Sequence, residues 1–130
     1  MNEILIPISP GELLDKITIL QIKSERIEDP AKVANVRTEL NMLQKVWTES
    51  VDDNSELREL SAELKSINER LWVIEDDIRD EERNKRFGER FIELARAVYV
   101  VNDERANAKK KVNLLLNSSI VEEKSYQDYR

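Results

Sequence analysis

Between residues 57 and 78, apolar side chains recur at Leu57, Leu60, Leu64, Ile67, Leu71, Ile74 and Ile78. Spacings of three and four put all seven on one seam of an α-helix and on no single face of a strand. The heptad rhythm holds for three repeats, so this segment predicts a long helix needing an apolar partner along most of its length. Gly88 in NKRFGERF marks a break, after which Phe91, Leu94, Val98, Val101, Ala108, Val112 and Leu115 begin a second run. Each long helix is about 30 residues, or about 45 Å at 1.5 Å per residue. Folded back around Phe87-Gly88, the two make an antiparallel hairpin.

Two shorter helices precede them. In Ile8-Ser9-Pro10-Gly11-Glu12-Leu13, Ser9 is placed as N-cap, Pro10 as the first helical residue and Glu12 as the reciprocal member of a capping box. Ile8 and Leu13 can close a hydrophobic staple across that start. The first helix runs from about Pro10 to Ile27. Its apolar residues Leu13, Leu14, Ile17, Ile19, Leu20 and Ile22 cover more than one stripe, which predicts a central helix gripped on two sides. Asp29-Pro30 repeats the cap-then-proline device and opens a second helix to about Glu49. There Val33, Val36, Leu40, Leu43 and Trp47 form a single seam. Asp52-Asp53-Asn54-Ser55 is a loop that supplies the next cap.

The expected fold is therefore all-α, an antiparallel bundle of about four helices in one domain, residues 1–130. A short hairpin laid on a longer one leaves part of the long seam uncovered, and self-association into a homodimer is the expected remedy. Ile4, Ile6 and Ile8 alternate over NEILIPI as in a strand, which Pro7 would confine to a sheet edge. Its only candidate partner is Ser119 to Glu123. An extended segment lying on the first helix is an equal reading of the same residues.

Residue types that are missing narrow the chemistry. The chain has no cysteine and no histidine, so thiolate nucleophiles, disulfides, Ser-His-Asp hydrolysis and His- or Cys-ligated zinc are excluded. No cofactor or metal is expected. A net charge of −6 disfavours nucleic acid as a partner, since phosphate binding wants a positive surface. No apolar run spans a bilayer, and the start lacks the basic and apolar regions of a secretory signal. The expected setting is cytoplasmic, with no membrane partner.

Arg105 breaks the apolar pattern. It takes a seam position between Val101 and Ala108, and Asn102, Lys109 and Asn113 continue a polar strip at spacings of three, four and four. An arginine withdrawn from water needs a carboxylate or an anion. By hairpin count residue 105 lies beside Ile67 to Arg70, which makes Glu69 the nearest acid. One reading is an anion pocket of Arg105, Lys109, Asn102 and Asn113, joined by Lys16 or Lys23, which share a face of the first helix. The other is a structural ion pair that fixes register.

WVIEDDIRDEERNKR gathers six carboxylates, of which Asp77, Asp80 and Glu81 share a helix face. That geometry suits Mg²⁺, and all-helical nucleotide pyrophosphatases use acidic helices in this way. Their second acidic pair on a facing helix is missing here, and Arg79 and Arg83 interleave with the acids. A solvated charged face is the better account. Glu81 stands out because it occupies the next seam position. Trp47 and Trp72 read as core, Tyr99 as half-buried with its hydroxyl at the surface, and Lys109-Lys110-Lys111 as a complement to the helix dipole.

SPGELLDKITILQIKSERI, LWVIEDDIR and FGERFIELARAVYVVNDERANAKKKVN together resemble a small uncharacterised family of bacterial and phage proteins across nearly the whole chain. The resemblance implies a compact helical protein without an assigned activity, with a hint of polysaccharide metabolism. A looser likeness is to helical chorismate mutases, intertwined dimers that bind a dicarboxylate with Arg and Lys from several helices. That spacing is not reproduced here. The leading expectation is a non-enzymatic helical interaction module with a protein partner. The alternative is a binder or enzyme of a small anionic metabolite.

Overall fold

The computed structural model describes residues 3–130 and contains four helices: α1 (Pro10–Arg26), α2 (Pro30–Ser50), α3 (Ser55–Arg83) and α4 (Glu89–Leu115). The fold is an all-α helical bundle. Caps explain three of the starts. Ser9 Oγ accepts from Glu12 N at 3.1 Å, Asp29 Oδ1 from Ala31 N at 2.9 Å, and Asn54 Oδ1 from Leu57 N at 2.9 Å. Each cap satisfies an N–H that the first helical turn leaves without a partner. The capping box at Ser9 is only half made. Glu12 turns its carboxylate to Lys109 Nζ at 2.5 Å, so a tertiary ion pair replaces the expected local bond.

α3 and α4 form the long antiparallel hairpin. Their shared seam supplies most of one core cluster, in which Leu64 and Val112 are fully buried. Arg70 meets Glu104 at 2.8 Å, the register that a fold-back at Phe87-Gly88 predicts. α1 packs against α2, α3 and α4 alike, which its broad apolar surface foretold. Leu14 joins the hairpin cluster, while Leu13, Ile17 and Leu20 meet Leu40 of α2 in a second one. Trp47 packs against both clusters.

Gly11 is where α1 comes closest to α4. A Cβ there would strike the Lys109 carbonyl and lie 2.9 Å from Asn113 Oδ1. With only a hydrogen in that place, Gly11 N donates to Asn113 Oδ1 at 2.7 Å. The glycine serves close approach here; its backbone angle is ordinary.

The expected edge strand does not form among the described residues, and Asn2 of NEILIPI lies outside them. Ile4, Leu5 and Ile6 are exposed, and only Ile8 reaches the second core cluster. The expected strand partner is engaged elsewhere: Ser118 Oγ closes a local turn on Ile120, and Glu122 points to Ser9 and Lys109. No helix among the described residues is long and apolar enough to cross a membrane.

Candidate functional site

Most of the candidate site residues converge where the start of α1 crosses the second half of α4. Arg105 does not pair with Glu69. It forks onto Asp15 of α1, with Nε donating to Oδ1 at 2.9 Å and Nη2 donating to Oδ2. The hairpin count failed because it considered only α3, whereas α1 wedges its own carboxylate into the groove between α3 and α4. Asp15 is fully buried and also accepts from Asn68 Nδ2 at 2.9 Å. Asn68 shares that donor group with Thr18 Oγ1 at 3.0 Å, and Thr18 donates to the Asp15 carbonyl at 2.8 Å. Three helices are thus joined by one satisfied polar network. The Arg105 guanidinium is held above its ordinary range chiefly by the hydrogen bonds to Asp15, against an opposing effect of burial. It is a permanent cation.

One helical turn on, Lys109 Nζ lies between Glu12 at 2.5 Å and Glu122 of the C-terminal tail at 3.5 Å. Glu122 also accepts from Ser9 Oγ at 3.0 Å. Two turns on, Asn113 is buried and spends its amide oxygen on Gly11. Asn102, Arg105, Lys109 and Asn113 therefore do form one strip of α4, as their spacing predicts. Ser9, Gly11, Glu12 and Asp15 meet that strip from α1.

Two grooves flank it, and Asn102 and Arg105 line both. The larger, about 670 Å³, runs between α4 and the tail and includes Lys109, Lys110 and Asn113 in its walls. The smaller, about 480 Å³, lies between α1, α3 and α4 and is bordered by Lys23, Asn68 and Trp72. Lys16 stands outside both. It is exposed, with Nζ 3.9 Å from Glu12, so of the two candidate lysines only Lys23 borders a groove, the smaller one. Trp72 is half-buried and forms a groove wall, while Tyr99 is exposed and meets the Tyr129 ring edge-on at 4.9 Å.

The acidic stretch on α3 resolves into ion pairs: Glu75 with Arg79, Asp77 with Arg90, Asp80 with Arg83 and Glu81 with Arg86. Among the described residues no three carboxylates are grouped to hold a metal. Glu81 takes an apolar seam position because Arg86 returns across the turn to meet it at 2.5 Å.

Sequence reasoning missed Asp15, Thr18, Asn68 and Glu122. A signal existed for Asp15 and Thr18, polar residues three apart inside a helix that is apolar nearly all round. Asn68 beside Ile67 offered a weaker one. Glu122 had none, since no periodicity governs an extended tail.

The chain belongs to a family of unknown function, DUF6165, whose model matches residues 4–129. No match was found among curated proteins or among solved structures.

Proposed function

We propose that the chain is a non-catalytic binding module that seats a small anionic molecule, carrying carboxylate or phosphate, on the α4 strip of Asn102, Arg105 and Lys109. The observation that carries this reading is the charge arrangement in the larger groove. Arg105 spends Nε and Nη2 on Asp15, while its Nη1 makes no hydrogen bond among the described residues. Lys109 has one resident partner on α1 and takes its second carboxylate from the tail. The groove's 670 Å³ falls within the range of small-molecule sites. Lys16 contributes nothing to this seat, and Lys23 belongs to the neighbouring groove. The chain lacks the side chains best suited to proton transfer near neutral pH, and the carboxylates around the strip are committed to ion pairs, which favours binding over chemistry.

A thermal-shift titration with citrate and with inorganic phosphate at low ionic strength tests the reading. A site occupied at 100 times Kd adds about 2.7 kcal/mol to stability, so a dose-dependent rise in Tm is expected. Lys109→Gln and Asn102→Ala should abolish it while leaving the network around Asp15 intact. No rise with either anion overturns the reading.

A second reading, a homodimer, rests on the turn end of the hairpin. Between Asn68 and Leu94 no residue is buried, although Leu71, Ile74, Ile78 and Phe91 continue the seam. Phe87 and Ile92 are each 53% exposed. A second copy laid antiparallel along this end would cover them. Sedimentation should then show a dimer at micromolar concentration that Ile78→Asp converts to monomer. A monomer throughout sinks this second reading and leaves the first untouched.

A further inference from the structure

Every residue from Ser119 to Arg130 is exposed and none belongs to a helix. The segment nevertheless follows a defined course. Glu122 meets Lys109, Glu123 meets Lys110 at 3.6 Å, Lys124 meets Asp103 at 2.9 Å, and Tyr129 meets the Tyr99 ring edge-on. Read along the tail from Glu122 to Tyr129, the partners on α4 are residues 109, 110, 103 and 99, so the tail as a whole runs antiparallel to the helix and walls the larger groove. It is held by charge pairs that are exposed on the tail side, the hydrogen bond from Ser9 Oγ to Glu122 and one ring contact, and it buries no apolar side chain. Exposed pairs of this kind contribute little each and exchange readily with solvent. The four-helix core is held by buried apolar packing instead.

We propose that this tail is a reversible strap that competes with the groove's ligand, with the Glu122 carboxylate occupying the anion seat at Lys109 and Ser9. The proposal rests on the anion-binding reading above and gives that site its regulation. Two carboxylates compete for the open side of the Lys109 ammonium, because Glu12 already holds the other. An incoming anion must therefore displace Glu122, and the rest of the tail loosens with it. Linkage makes the effect reciprocal: tail docking lowers ligand affinity by the factor by which ligand lowers docking.

The full-length chain and its Glu122→Gln variant distinguish the outcomes. Citrate is titrated into each while backbone amide relaxation of residues 120–129 is followed by NMR. Glu122 is surface-exposed, so the substitution leaves the bundle folded. The expected result is a tail ordered without citrate and mobile at saturation, with citrate bound about two- to tenfold more tightly by the variant. Citrate binding that leaves the tail ordered, or that Glu122→Gln leaves unchanged or weakens, overturns the strap while the anion site stands. Absence of citrate binding by both proteins removes the site and the strap together.

Discussion

Asp15 and Arg105 are 90 positions apart in the chain and close a two-pronged ion pair between α1 and α4, with the carboxylate fully buried and the guanidinium side chain 30% exposed. That difference in exposure decides which partner matters more. Arg105→Ala strands a charged carboxylate among packed helices. Asp15→Asn leaves a guanidinium that can turn partly to water. Removing one partner of a buried pair costs about 3–5 kcal/mol, and Arg105→Ala should fall in that range by urea denaturation, with Asp15→Asn costing less. Arg105→Lys should recover only part of the loss, because an ammonium cannot reproduce the planar fork. Equal losses for all three would show that the pair's geometry is unimportant.

Gly11→Ala sets two effects against each other. Alanine has the better helix propensity, by about 1 kcal/mol in a helix interior and less at a first turn. The added methyl would press on the Lys109 carbonyl and approach Asn113 Oδ1, and neither the backbone nor the buried amide can move without parting α1 from α4. Overpacking costs about 1–3 kcal/mol, so the net change should be a loss of stability. A rise in Tm for Gly11→Ala would mean that the two helices are less tightly apposed.

Much of this architecture was legible because helix formation is local. Spacings of three and four identify the seams of α2, α3 and α4, and Ser9-Pro10 and Asp29-Pro30 locate two starts. Position 105 was legible as an anomaly, since a guanidinium in an apolar seam must find an anion. Its partner was not. Pairing across 90 residues depends on how α1 settles into the hairpin, and hairpin register alone pointed to Glu69. The edge strand failed for a related reason: alternation in Ile4, Ile6 and Ile8 marks a surface that could pair, but a strand forms only where a neighbour offers its backbone, and Glu122 and Ser118 commit that neighbour elsewhere.

Leu64 and Ile78 occupy equivalent seam positions on α3, yet their burial differs sharply. Leu64 is fully buried, whereas Ile78 is half-buried near the turn. Leu64→Ala should cost about 2–5 kcal/mol, as core truncations do. Ile78→Ala should cost about 1 kcal/mol or less in a monomer, since part of its surface already faces water. Denaturation at several protein concentrations checks both. A loss at Ile78 that grows with protein concentration would report a second copy covering that end.

The charge pairs that hold the tail fix its response to pH. The carboxyl of Asp103 is held below its ordinary range first by its bond to Lys124 and then by Tyr129, with Arg130 adding a smaller pull. The Tyr129 hydroxyl is pushed above its ordinary range first by Asp103, with Tyr99 acting in the same direction and Arg130 against it. A depressed carboxyl contributes docking energy that is complete above its free pKa, about 4, and is lost as pH falls through the lower bound-state value. A raised phenol contributes below its free pKa, about 10, and loses that contribution as pH rises through the higher bound-state value. Docking should therefore be level across neutral pH and weaken only at the two extremes. Chemical shifts of Asp103 and Tyr129 followed from about pH 3 to about pH 11 should show inflections at the two ends and a plateau between them. An inflection near neutrality would mean that some other group governs the strap.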